Sequence, residues 1–269
     1  MERLRLARAL RPLRRRGVRR DRPLPRRPSP PARVSVEGGD QGDLRGGAGL
    51  RHLELSYLSL ADGLAEPSGA RRRASERHAD LLLEAAAALG ARHVKVVTVG
   101  PPQESGRLTE AFAELCTRAA SMSDALLVYE YVPPGLDPTV TTFERAGALV
   151  DDVGRPNARL LLDTWHLSKA GVKPAAVGDV PFGSIGWAEL SDGFFEHPAP
   201  ILEEVTEHRA LAGEGEFGIP AYIEAFRERG YAGPYGPEIC SAELEAMPIE
   251  EQYRRTYVTS TSQFGSPPE

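Results

Sequence analysis

The chain has 269 residues, of which 41% are hydrophobic and 26% charged, with a formal net charge of −5. No stretch approaches the ~18 consecutive apolar residues of a membrane helix, which excludes an integral helical membrane protein. Two cysteines, Cys116 and Cys240, are too few for a disulfide framework or a thiolate zinc site, and a reducing, cytoplasmic setting is expected.

The charge is unevenly spread. Residues 1–35 carry 13 Arg against Glu2 and Asp21, which is +11 and leaves −16 on the remainder. A body of that charge repels phosphates, so nucleic-acid binding is not expected of it. Residues 1–49 are rich in Arg, Pro and then Gly, a composition that buries too little surface to offset chain entropy. Disorder is expected there, with the folded domain at 50–269. Three explanations stand for this segment: a basic tail, a solvated extension, or a misassigned start or reading frame.

From Leu50 a regular alternation begins. Strands are expected at 50–58, 93–100, 125–132, 158–167, 184–192 and 235–241. Helices are expected at 74–90, 107–122, 139–153, 219–230 and 248–262, with apolar residues three and four apart. Strands alternating with such helices imply βαβ units and a parallel sheet. The fold class is therefore α/β, a (β/α)8 barrel. Six strands are counted where eight are needed, so the barrel is incomplete or atypical at its N-terminus. Neither G-x-G-x-x-G nor a Walker loop is present.

Four apolar runs carry a carboxylate near the C-terminal end: Glu130 in LLVYE, Asp163 in LLLD, Glu189 in GWAE and Glu238 in YGPE. In a parallel barrel these ends share one face, where barrel enzymes build their sites. Four converging carboxylates repel one another, and a divalent cation relieves that repulsion. Taken singly, each acid has a plainer reading; Asp163, for example, could cap the following turn. Asp192 is a rival ligand to Glu189. His166, in DTWH, falls at the same mouth. Lys95, in HVKVV, points into the barrel, where it can pair with a core carboxylate. Arg209 precedes the glycine-rich run ALAGEGEFG.

The run from YEYVPPGLDPTVTTFERA to LLLDTWHLSKAG, followed by HRALAGEGEFG and YGPEICS, resembles the sugar phosphate isomerase/epimerase family of xylose-isomerase-like TIM barrels. TVTTFERA brings it nearest the inosose (2-keto-myo-inositol) isomerase branch. The resemblance covers about residues 50–262. It implies metal ligands at Glu130, Asp163, Glu189 and Glu238, although the third position is usually His in the family. Four carboxylates favour Mg²⁺ or Mn²⁺ over Zn²⁺. It also implies that His166, Arg209 and Lys95 bind substrate, and that Glu130 and Glu238 form the acid–base pair. Ala212 stands where the family usually has Pro.

The expected activity is isomerisation or epimerisation of a small sugar or cyclitol ketone through a metal-stabilised enediolate. A dehydratase of inosose or dehydroshikimate type is the second reading. A degenerate, non-catalytic member is the third. An abasic-site endonuclease, on the same barrel, is disfavoured by the acidic body. A homo-oligomer is compatible with all of these.

Overall fold

The computed structural model describes residues 54–60, 64–65, 68–181 and 183–265. The Arg/Pro-rich segment 1–49 and the first residues of the expected first strand lie outside the described residues.

Strands β1 (Glu54–Ser59), β2 (His93–Val97), β3 (Leu126–Glu130), β4 (Ala158–Asp163), β5 (Ile185–Leu190) and β6 (Tyr235–Pro237) form one sheet in chain order. Every neighbouring pair is parallel. Helices cross between them: α1 (Ala70–Leu89), α2 (Ser105–Ala120), α3 (Phe143–Val153), α4 (Thr164–Lys169), α5 (Ala176–Asp179), α6 (Ile201–Glu207) and α7 (Ile219–Glu228). After β6 come α8 (Ala242–Glu245) and α9 (Ile249–Ser262). This is the βα alternation of a (β/α)8 barrel, with six of its strands among the described residues.

Local sequence explains where these helices start and stop. The Ala- and Leu-rich α1 ends at Gly90, whose left-handed φ of 67° lets its N–H reach the Ala86 and Ala87 carbonyls. Helix α2 turns Leu108, Ala111, Phe112, Leu115, Cys116 and Ala119 inward, spaced three and four apart. Helix α3 starts at Thr142, whose hydroxyl accepts from the Arg145 N–H.

The strands show a two-residue alternation, broken by a bulge at the start of β5. Val94 and Val96, Leu127 and Tyr129, Leu160 and Leu162, and Ala188 join the core between sheet and helices. Val128, Leu161 and Trp187 cluster separately on the opposite, inner face. That inner face is tightly filled: a Cβ on Gly186 would come within 2.7 Å of Arg159 and Val128 side-chain carbons. By the same alternation Lys95, Glu130, Asp163 and Glu189 also lie on the inner face.

The expected strands from 93–100 onward are all shorter than their sequence suggested, and two end where a site residue begins its work. The run 158–167 is strand only to Asp163 and then turns into α4. Asp163 Oδ1 accepts from the Trp165 and His166 N–H groups, so the carboxylate stops the strand and caps the helix. The run 235–241 is strand only to Pro237, and Glu238 follows immediately, its N–H still donating to the Leu190 carbonyl. No helix among the described residues is long and apolar enough to cross a membrane.

Candidate active site

Parallel pairing stacks the strand ends in register. Asp163 on β4 lies beside Glu189 on β5, and Glu189 beside Gly236 on β6. Lys95 pairs with Val128, two residues before Glu130, so it sits one layer below the mouth and reaches upward. Glu130, Asp163, Glu189, Lys95, His166 and Arg209 are all buried. Glu238 is the more open member, its side chain 32% exposed.

Two cations run through this group. The Lys95 ammonium donates to Glu238 at 2.7 Å and to Glu189 at 2.8 Å, and lies 3.5 Å from Glu130. The Arg209 guanidinium meets Asp163 Oδ2 and Glu238 Oε2, each at 2.9 Å, and approaches His166 Nε2 at 3.2 Å. It is held from behind by the Val205 carbonyl and lies 5.1 Å over the Trp165 ring. His166 Nε2 is 3.4 Å from Glu130.

The charges act on one another. Burial opposes ionisation of Glu238, but Arg209 and Lys95 overcome it and hold the carboxyl well below the usual carboxylate range. Burial likewise raises Glu130, and Lys95 and His166 outweigh it, so its pKa is lowered. For Asp163 burial prevails over Arg209, and its pKa is raised. Burial works to lower the Arg209 pKa, yet Asp163 and Glu238 raise it, so the guanidinium stays charged.

Glu130, Asp163, His166 and Glu238 each present a ligand atom within 4.8 Å of the other three. His166 Nδ1 is buried with no hydrogen-bond partner, so the ring has coordinating capacity to spare. Three carboxylates and one imidazole, converging and buried, suit a divalent cation. This group differs from the one expected from sequence. His166, expected to bind substrate, is inside it, while Glu189, expected as a ligand, is outside it and bonded to Lys95. The preference for Mg²⁺ or Mn²⁺ over Zn²⁺ thereby loses its fourth carboxylate, and imidazole suits Zn²⁺ as well.

Asp192, the expected rival to Glu189, lies outside this group of four and is turned to backbone N–H groups. Its Oδ1 accepts from the Gly193 and Phe217 N–H groups and its Oδ2 from Gly213. These three bonds fix the glycine-rich loop against the end of β5. Two open clefts of about 280 and 380 Å³ lie elsewhere, beside Tyr131 and Phe143 and around Arg155 and Arg159. Neither is lined by the carboxylates of this group.

A parallel α/β barrel with buried acids at its strand ends defines a class, the barrel enzymes that work at the C-terminal mouth. Within that class, the chain belongs to the xylose isomerase-like TIM barrel family, whose profile matches residues 29–257. Among curated relatives it is 28% identical over 191 residues to a 3-dehydroshikimate dehydratase of Pseudomonas aeruginosa, covering 68% of this chain and 28% of that protein. It is 27% identical over 131 residues to an inosose isomerase of Bacillus subtilis, covering 48% of this chain and 46% of that one. The matches thus span less than half the length of these relatives. Among solved structures, the IolI protein with a bound zinc atom superposes with TM-score 0.64 at 19% identity, covering 78% of this chain and 75% of that one. An L-ribulose 3-epimerase gives 0.58 at 21%, covering 83% and 74%. At that identity the likeness concerns the fold.

Proposed function

We propose that the chain is a divalent-metal-dependent isomerase or epimerase of a small sugar or cyclitol ketone. The observation that carries this reading is the convergence of Glu130, Asp163 and His166, all buried, with the half-buried Glu238 at the barrel mouth. These four residues would hold the cation. When bound, it would polarise a carbonyl and its neighbouring hydroxyl, acidifying the proton on the carbon between them.

Glu130 and Glu238 arrive from β3 and from the end of β6, with β4 and β5 between them. Lys95 keeps Glu130 ionised, and Arg209 with Lys95 keeps Glu238 ionised, which leaves each able to accept a proton. One takes the proton from the α-carbon, and the electron pair forms the enediolate double bond. The carboxylic acid so formed returns that proton to the adjacent carbon, which is isomerisation; epimerisation needs the other glutamate to take a proton from water first and deliver it to the opposite face. Arg209 and Lys95 donate to substrate oxygens and stabilise the negative charge that develops there. The inosose isomerase relatives support a cyclitol ketone as substrate.

A second reading, loss of a β-hydroxyl from the same enediolate, is favoured by one observation. The match covering 68% of this chain is to a dehydratase. A panel of ketoses, inososes and dehydroshikimate, run in deuterated water with Mn²⁺, separates the two. Isomerase action incorporates deuterium without loss of water; dehydratase action loses water. Glu238→Gln should lower either rate by about 10²-fold or more. Retained exchange in that variant refutes the role given to Glu238.

A further inference from the structure

The metal-dependent reading gives Glu189 no role and does not account for the contact that Lys95 makes with it. Lys95 and Glu189 are both buried and bonded at 2.8 Å, in direct contact with the donor group but not of it. The Lys95 ammonium also touches Glu238 and Glu130, two of the four donors. It occupies the space a cation would share with those carboxylates.

Charge counting shows what this does. Among the described residues, four carboxylates, Glu130, Asp163, Glu189 and Glu238, face two fixed cations, Lys95 and Arg209. With a neutral imidazole the set carries −2, which one divalent ion cancels. Without Lys95 it carries −3 and attracts the ion more strongly. Glu189 pulls Lys95 in the opposite sense, because every hydrogen bond the ammonium spends on Glu189 is one fewer on the donors.

We infer that Lys95 is the resident cation of this site, that Glu189 anchors it and is not a metal ligand, and that the pair sets how tightly the site takes a divalent ion. Lys95 is thus a positioning residue for the donor group, and Glu189 positions Lys95. The pair sits at a place where a barrel of this kind could instead present a fifth donor to the ion. Spending that place on an internal ion pair leaves His166 as the sole nitrogen in the set.

The inference rests on the reading above, and direct metal binding tests it apart from turnover. Full-length wild type, Lys95→Met, Glu189→Gln and the double variant Lys95→Met/Glu189→Met are titrated with Mn²⁺. Free Mn²⁺ is followed by electron paramagnetic resonance and binding heat by calorimetry. Circular dichroism melts check that each chain is folded. Lys95→Met should tighten Mn²⁺ binding by about tenfold or more. Glu189→Gln should weaken it by a similar factor. The double variant, which deletes the pair at no net charge, should return to within about threefold of wild type, and it remains informative where a single variant leaves a buried charge and unfolds.

Binding by Lys95→Met alone, with none by wild type, also supports the inference. If the double variant binds much more weakly than wild type, Glu189 is a ligand and the inference is wrong. Wild-type binding that Lys95→Met leaves unchanged overturns the inference and spares the metal reading. No Mn²⁺ binding by any of the four chains overturns both.

Discussion

Asp163 and Arg209 meet at 2.9 Å with both side chains buried, one capping α4 and the other leading into the glycine-rich loop. The two oxygens of Asp163 divide the work. Oδ1 accepts two backbone N–H groups, and Oδ2 faces the guanidinium and the donor group. Asp163→Asn keeps an oxygen for the cap but removes the charge. In wild type, Mn²⁺ at about 100 times its dissociation constant adds ~2.7 kcal/mol of stability. For a domain of this size that raises the melting temperature by about 5–10 °C. The variant should melt cooperatively with little or no rise. Equal shifts in both proteins would place the ion somewhere else.

The tie between Asp192 and the loop should be structural. Asp192→Ala leaves the Gly193, Gly213 and Phe217 N–H groups without their acceptor. The expected cost is about 3 kcal/mol or more, read from the urea midpoint. Gly215→Ala attacks the same joint sterically, since its Cβ would lie 2.4 Å from both Asp192 Oδ1 and the Gly193 carbonyl. It should cost about 1–3 kcal/mol, as overpacking does. A wild-type midpoint in both variants would mean that the loop does not depend on Asp192.

Acid should expose the held state of Glu238. Its folded pKa lies below the ordinary carboxylate value, so the unfolded chain binds the extra proton first as pH falls. The stabilisation is full above the unfolded pKa, about 4.3, and is lost as pH drops toward the folded value. Asp163, with a raised pKa, contributes in the opposite sense and blunts the change. Glu238 is also partly open to water, which screens its share. Urea midpoints between pH 6 and pH 3 should therefore fall less steeply in Glu238→Gln than in wild type. Parallel curves would show that the carboxylate gains nothing from Lys95 and Arg209.

Cys116 reports on the packing of α2. Its side chain is fully buried, and burial pushes the thiol up to about 12. A thiol reacts as its thiolate, so in a Cys240→Ser background Cys116 should resist Ellman's reagent at pH 8 and react at once in 6 M guanidinium. Rapid reaction without denaturant would mean that α2 leaves the sheet on the timescale of the assay.

The order of strands and helices was legible in the sequence because local chemistry fixes it. Apolar runs, helical spacing and closing glycines such as Gly90 and Gly154 mark the elements whatever they pack against. The carboxylates at the strand ends were legible for the same reason. Parallel βα connectivity alone sends Glu130, Asp163 and Glu189 to one mouth. What α4 does to Asp163 was less visible, because an apolar run such as LLLDTWHL does not show where a strand turns into a helix. Which acids Lys95 pairs with could not be read from sequence. Whether it reaches Glu130, Glu189 and Glu238 depends on distances of 2.7–3.5 Å across four strands. Residues 35, 94 and 143 positions apart in the chain are brought to that range only by the twist and curvature of the folded sheet.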